Sequence, residues 1–399
     1  MTPRQTNSFT LILGILVLAS SVSILSTDIY APSLPHLPAA LSTTAAMVKL
    51  TIGLNVAMFA LGQLFLGPLS DRFGRRPVLL LSMLVFSIAS LLCGLSLSIE
   101  QLIAARMLQG LAGSAEAVIC MAVFKDLFDE KQQVRGLAIF GMSIALAPAV
   151  GPLLGGYIHV FFGWRFNFWL ITSLGLAASY MIWRYLPESS TPDRHAIKAQ
   201  TVMSSYSALL GNRPFMTYSL LAGICMAIIY TFVTGAPFIL IDQMGVQTEH
   251  FGYHQMAIVA TYFLGSMAAT RLVDKMPTQQ LLNIGVSILL TGGISLLFIN
   301  SAGLLNPVTF SASFATMTLG MGPIFAIAPA RAMLSSDGKS GYAAAMLGAS
   351  EMAVASLAAV LVVIFHDGSA KPVIVSMMVL LVLTIILWRA SVRFQERIL

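Results

Sequence analysis

Four ionisable residues stand inside stretches that are otherwise apolar over helix lengths: Asp28, Arg106, Glu116 and Glu351. An unpaired ionised side chain at the centre of a bilayer costs from roughly 3 to more than 10 kcal/mol, so such groups pair, face water or exchange protons. A carboxyl in that setting can take up and release a proton, and a guanidinium is a permanent counter-charge for it. The chemistry on offer is therefore proton binding and electrostatic pairing. No Walker motif, metal-ligand cluster or nucleophile–base arrangement accompanies these residues, so the chain is read as a non-enzyme that needs no cofactor or metal and draws its energy from an ion gradient.

The elements that must place these groups are membrane spans. Of the 399 residues, 57% are hydrophobic and 10% charged, against a charged share of about 25% in soluble globular chains. Residues 5–27, 50–70, 77–99, 136–164, 214–241 and 276–330 contain no Asp, Glu, Lys or Arg, and about 20 apolar residues suffice to cross a bilayer. Splitting these runs at Pro, Gly and charge clusters predicts an all-α membrane protein of twelve transmembrane helices, near 9–30, 45–67, 77–97, 101–123, 134–160, 165–185, 214–237, 250–270, 279–300, 303–330, 341–366 and 370–390. The segment from Phe9 is read as the first span and not as a cleavable leader, because it stays apolar for the bilayer thickness without a small-residue cleavage site. Cys93, Cys120 and Cys225 each stand alone within a span and are read as small core residues.

Basic residues orient the spans. One set of connections holds Arg4, Arg72, Arg75, Arg76, Lys125, Lys131, Arg135, Arg184, Arg194, Lys198, Arg213, Arg271, Lys275, Arg331, Lys339, Arg389, Arg393 and Arg397; the other holds Lys49, Arg165 and Lys371. The positive-inside rule then places both termini in the cytoplasm. The net charge of +6 is a topology signal and calls for no nucleic-acid partner.

Residues 186–213 are polar, contain Pro187, Pro192, Asp193, Arg194 and Lys198, and fall at the midpoint of the chain. They are read as a cytoplasmic linker between two six-helix halves, 1–185 and 214–399. Asp71-Arg72 after the second span is echoed by Asp274-Lys275 after the eighth, an offset of 203 residues. Duplicated halves are a recurrent transporter plan, with the substrate site near the midplane between them.

The connection between the second and third spans reads Gly67-Pro68-Leu69-Ser70-Asp71-Arg72-Phe73-Gly74-Arg75-Arg76. It resembles the G-x-L-a-D-R-x-G-R-[RK] pattern of the major facilitator superfamily at Gly67, Leu69, Asp71, Arg72, Gly74, Arg75 and Arg76. Gly74 can supply positive φ for a tight turn, Asp71 can accept from a helix N-terminus or a basic side chain, and the arginines suit an anionic lipid surface. The resemblance implies a latch on the cytoplasmic side of the outward-open state. Two further patterns follow in order. Leu102 to Gly110, with Arg106, resembles the fourth-span motif with its buried arginine; Ala147 to Gly156 resembles the antiporter motif of the fifth span, which goes with exporters. There Gly151, Gly155 and Gly156 form a small-residue face for close helix packing, and Pro152 gives the helix a bending point. Asp28-Ile29-Tyr30-Ala31-Pro32-Ser33-Leu34-Pro35 is similar to the D-x-Y-x-P-x-x-P signature of the Bcr/CflA branch of drug:proton antiporters.

The resemblance implies a monomeric carrier in the bacterial cytoplasmic (inner) membrane, multidrug efflux in type, whose partners are a small-molecule substrate, protons and the lipid bilayer. A dedicated exporter of one metabolite or siderophore, or a non-transporting sensor on the same fold, is the alternative. Both Asp28 and Arg106 fall near the outer ends of their spans, Arg106 about five residues or roughly 8 Å deep. That common depth predicts a pair across the cavity, broken when Asp28 is protonated. Glu116 lies about 15 Å further toward the cytoplasm, nearly in line with Gln109 on the helix face, and is read as a cation site or second proton site. Glu351 could line the path or fasten the interface between halves. His36, His159, His250, His254 and His366 fall near outer span ends, as solvated interface residues or as sensors of external acidity. In the superfamily the first, fourth, seventh and tenth spans line the cavity. Candidate substrate contacts are therefore Tyr30, Met107, Gln109, Glu116, Tyr230, Phe232, Phe238, Met317, Met321 and Phe325, where aromatic and Met side chains suit adaptable apolar recognition.

Overall fold

A charge-free run removed from water must satisfy its own backbone N–H and C=O groups, and a helix does so within one segment. The computed structural model describes residues 3–190, 199–336, 340–365 and 369–395. Pro192, Asp193, Arg194, Lys198, Lys339, His366 and Arg397 lie outside the described residues. Twelve long helices follow one another in the described chain: α1 Pro3–Asp28, α2 Ala45–Phe73, α3 Arg75–Leu95, α4 Ile99–Leu127, α5 Glu130–Phe162, α6 Arg165–Tyr185, α7 Arg213–Pro237, α8 Phe251–Leu272, α9 Thr278–Ser301, α10 Pro307–Leu334, α11 Ser340–Ile364 and α12 Lys371–Gln395. No strand occurs among the described residues. Eleven of these helices are long and apolar enough to cross a membrane; α8 is less apolar, carrying His254, Gln255 and Arg271, yet its 22 residues are about 33 Å of helix.

Polar caps set the ends of these helices. Thr44, Ser98 and Asn212 accept from the backbone N–H groups of Met47, Gln101 and Phe215, while Asp129 with Gln132 and Asn306 with Thr309 form capping boxes. The Asn306 box corrects the tenth span, expected from residue 303: Gly303 turns with φ +68° and the helix starts at Pro307. Helix α2 also runs beyond its expected end, so Asp71 and Arg72 stand on its last turn. A single residue, Gly74 at φ +99°, joins it to α3. The polar linker holds an additional helix, Ala199–Gly211.

Helix pairings in the first half recur six helices later. The pairs α2–α4, α3–α4, α3–α6 and α1–α6 are matched by α8–α10, α9–α10, α9–α12 and α7–α12, and the α1–α5 pair by α7–α11. Across the halves α2 packs on α11 and α5 on α8. One apolar core lies wholly within the first six helices, around Leu16, Phe86, Phe124 and Ile171. The other fills the last six and continues into Tyr30, Leu34, Ile52, Leu102 and Phe168. These belong to the end of the bundle opposite the termini, so at that end the two halves share one core.

Candidate functional site

After Asp28, helix α1 gives way to a 3-10 turn, Ala31–His36, containing Pro32 and Pro35. Proline supplies no N–H to an α-helical ladder, so the D-x-Y-x-P-x-x-P segment cannot extend α1. This turn leaves Asp28, 6% exposed, at the last position of the helix.

Arg106 is fully buried on α4 and is held by several elements. Its Nη1 donates to the Ser26 carbonyl of α1 (3.2 Å) and to Gln109 Oε1 one turn on. Gln109 Nε2 donates in turn to Ser90 Oγ of α3 at 2.7 Å. The guanidinium lies 4.7 Å from the centre of the Tyr30 ring, whose hydroxyl is 2.7 Å from Thr51 Oγ1 of α2. Asn55 of α2 donates to the Arg106 carbonyl at 2.8 Å. Each of these contacts comes from the first half of the chain. The Nε and Nη2 of Arg106 have no hydrogen-bond partner among the described residues.

The structure corrects the expected pairing of Asp28 with Arg106. Among the described residues no ion pair joins them: the Asp28 carboxyl faces the side chain of Gln255 on α8, while Arg106 acts on it only through its field. The reason is packing. The guanidinium is bound beneath α1 through Ser26 and Gln109, whereas Asp28 lies against α5, where a Cβ on Gly151 would sit 3.1 Å from the Asp28 Cβ. Tyr230 of α7 completes the cluster, electrostatically coupled to both Asp28 and Arg106.

Helix α5 joins this cluster to the other half. A Cβ on Gly155 would overlap the Ile29 carbonyl, and one on Gly156 would lie 2.7 Å from the Thr248 carbonyl. Pro152 sits inside the same unbroken helix. The two halves also meet through His36 Nε2 and Thr248 Oγ1 (2.9 Å) and through the hydroxyls of Tyr157 and Tyr253 (3.1 Å). His36 stacks on His159 at 4.4 Å between ring centres, His254 bonds Ser311 at 2.8 Å, and His250 faces Tyr253.

Glu116 is buried in the first half and does not join the Asp28 cluster. Its carboxyl lies beside Ser23 of α1, whose hydroxyl donates to the Gly113 carbonyl at 3.3 Å, and Oε2 has no partner among the described residues. Gln109, nearly two turns earlier on the same helix, reaches α3. Glu351 stands on α11 where it packs on α7, its Cα 3.4 Å from a Cβ built on Gly223. It acts electrostatically on Cys225 and Tyr262. Phe325 packs edge-on against Tyr262 at 6.0 Å.

The remaining candidate contacts divide by exposure. Met107, Tyr230 and Phe325 are half-buried. Met317, Met321 and Phe238 are buried, and Phe232 is enclosed by Phe251, Phe310 and Phe314. Gln255, Asn55 and Ser26 escape a search by charge because they are neutral. Their only sequence signal is a polar side chain inside an apolar run.

At the end that carries the termini, Arg75 pairs with Asp71 (2.5 Å) and Asp126 (3.4 Å). The backbone N–H groups of Arg75 and Arg76 donate to the Glu188 carboxylate at 2.9 and 3.3 Å. Gly67 packs on Val118 of α4, a Cβ there lying 3.0 Å from its Cγ1. The guanidinium of Arg72 lies over the Phe73 ring at 5.2 Å.

Two like six-helix halves that meet around a buried carboxyl define a membrane carrier that works by moving one half against the other. Residues 16–363 match the Major Facilitator Superfamily, and the chain belongs to that family. It is 27% identical to the bicyclomycin resistance protein homolog of Haemophilus influenzae over 96% of both chains. It is 28% identical to a chloramphenicol resistance protein of Pseudomonas aeruginosa, over 88% of this chain and 83% of the relative. With multidrug resistance protein D of Escherichia coli it shares 27% identity over 86% of each. These relatives place it in the Bcr/CflA-type branch. The fold is that of a bacterial homologue of the human lysosomal transporter Spinster (TM-score 0.76, 14% identity, 99% of this chain and 98% of that one). A D-xylose–proton symporter also shares it (TM-score 0.73, 14% identity, 95% and 97%).

Proposed function

We propose that this chain exports small organic compounds of the drug type in exchange for protons across the bacterial inner membrane, with both termini in the cytoplasm. Asp28 is the proton-binding group and Arg106 its fixed counter-charge. The observation that carries this reading is the position of the Asp28 carboxyl: it faces Gln255 of the other half while the Arg106 guanidinium, whose Nε and Nη2 have no hydrogen-bond partner among the described residues, lies within its electrostatic reach. A proton arriving on that carboxyl changes an interaction at the seam that must open and close. Alternating access then follows, because a ligand shifts a two-state carrier by the difference in its affinity for the two states.

Drug-resistance relatives support an apolar, chemically broad cargo, and the half-buried Met107, Tyr230 and Phe325 offer polarizable surfaces for one. Glu116 and Glu351 are further proton or cation sites in this reading, since each is a carboxyl inside the bundle without an ion pair among the described residues. The latch attributed to Asp71 and Arg75 belongs to the outward-open state. Here Arg75 binds Asp71 and Asp126, both from the first half.

The test is transport by purified protein in proteoliposomes with an imposed pH gradient, using neutral amphenicols, lipophilic cations and endogenous metabolites in turn. Substrate accumulation should follow the gradient in wild type and be abolished in Asp28→Asn. A wild-type rate in Asp28→Asn would overturn the assignment of the proton site. Transport confined to one metabolite would replace drug export by a dedicated carrier.

A further inference from the structure

We propose that Gln255 reads the proton on Asp28 and ties closure of the end opposite the termini to it, a positioning role that rests on the proton-exchange reading above. The two side chains come from different halves and face each other where α5 packs on α8, close enough for the Gln255 amide to act on the Asp28 carboxyl. Gln255 is 3% exposed, and its Oε1 has no partner among the described residues. Only Nε2–H can serve an ionised Asp28 carboxylate, and one amide acceptor is left over in a buried place.

A buried polar atom without a partner costs free energy, so its presence asks what would satisfy it. An ionised carboxylate can only accept and cannot serve Oε1. A protonated carboxyl carries an O–H, which can donate to Gln255 Oε1 while its carbonyl oxygen accepts from Nε2. Acid and amide then share two antiparallel hydrogen bonds. The ionised form has its own complement on the opposite side, the unpartnered Nε and Nη2 of Arg106, which belongs to the same half as Asp28. The proton thus chooses between two sets of orphaned atoms: without it the carboxylate is drawn to Arg106, and with it the carboxyl bridges to the other half through Gln255.

The backbone holds both partners in place for this choice. Gly151 and Gly155 of α5 press on Asp28 and Ile29, and Gly252, one turn before Gln255, packs on the Leu153 backbone. The charged and titratable groups facing Asp28 are Arg106 from α4 and Tyr230 from α7; α5 presents glycines.

The experiment compares wild type, Gln255→Leu, Asp28→Asn and Asp28→Asn/Gln255→Leu. Spin labels at Leu97 and Leu304, exposed and at the end opposite the termini in the two halves, report separation there; the native cysteines are buried. In wild type that distance should shorten as the pH falls, and in Gln255→Leu the response should flatten. The side-chain amide introduced by Asp28→Asn offers both a donor and an acceptor and so reproduces the two-bond pair. That variant should therefore stay closed at every pH, and the double variant should reopen. In proteoliposomes Gln255→Leu should lose about tenfold or more of gradient-driven export while substrate–substrate exchange, which carries no proton, stays within about twofold. A wild-type pH response in Gln255→Leu, or equal loss of exchange and export, would overturn the proposal. Absence of gradient-driven export in wild type would sink the antiport reading instead, and the distance comparison would still decide the role of Gln255.

Discussion

Gly155 of α5 meets the carbonyl of Ile29, the residue after Asp28, so closely that a Cβ at 155 would overlap the carbonyl oxygen. The Asp28 end of α1 is therefore seated on the glycine face of α5. Any side chain at 155 must push α1 away and move Asp28 from Gln255. Overpacking of this kind costs typically about 1–3 kcal/mol, enough to displace a helix end without unfolding the bundle. Gly155→Val is expected to abolish efflux in cells while the protein still reaches the membrane, and Gly151→Ala, with its nearest atoms at 3.1 Å, to reduce it partly. Resistance assays paired with membrane abundance decide between lost activity and lost protein.

Arg106 is bound by shape as well as charge. Lysine keeps the charge but cannot bond Ser26 and Gln109 and also lie across Tyr30. Hydrogen bonds to charged groups contribute about 1.5–3 kcal/mol each. Arg106→Lys is expected to lower both the melting temperature in detergent and gradient-driven export, the latter by tenfold or more on that scale. Full export in Arg106→Lys would show that charge alone suffices.

Both the helices and the residue types of this site were legible in the sequence, because charge-free runs and buried ionisable groups are local signals. The partner of Asp28 was not. Depth along a helix counts residues and says nothing of azimuth, so Asp28 and Arg106 share a level yet face different neighbours. Gln255 comes from the other half and is uncharged, and nothing in its local sequence announces the contact. The linker helix escaped for a related reason: Ala199–Gly211 is short and polar enough to read as a connection, and its seat is supplied by α2 and α11.

Glu116 offers a test of whether cargo charge is read in the first half. Its carboxyl lies beside Ser23, and Oε2 has no partner among the described residues. Gln keeps size and a hydrogen-bonding oxygen while removing the charge. Glu116→Gln is expected to export a neutral amphenicol at the wild-type rate and a lipophilic cation about tenfold more slowly, since one buried charge contact is lost. Equal rates for both cargoes would assign Glu116 to packing between α1 and α4.

The Glu188 carboxylate caps α3 from outside the helix, accepting from the N–H groups of Arg75 and Arg76 just past the positive-φ Gly74. Negative charge at a helix N-terminus is stabilising and is screened by salt. Glu188→Ala should lower the melting temperature by on the order of a degree or two, with a difference that shrinks as salt rises. A loss unchanged by salt would point to packing and not to the cap.

Tyr206 on the linker helix fastens the halves together at the end that carries the termini. Its hydroxyl donates to the Leu64 carbonyl of α2 at 2.9 Å, and its ring stands perpendicular to Tyr342 of α11 at 5.5 Å. Burial, with a smaller contribution from Tyr342, pushes the Tyr206 phenol up to about 12. A raised folded-state value favours the neutral donor, so its contribution is complete below the ordinary phenol value of about 10 and fades only as pH rises through the folded one. Tyr206→Phe removes one hydrogen bond, about 0.5–1.5 kcal/mol, and Tyr206→Ala also removes the ring contact, a similar amount. The melting-temperature loss in Tyr206→Phe should therefore be constant between about pH 6 and pH 9, and Tyr206→Ala should lose roughly twice as much. A loss in Tyr206→Phe that changes across that range would show that another titrating group controls the contact.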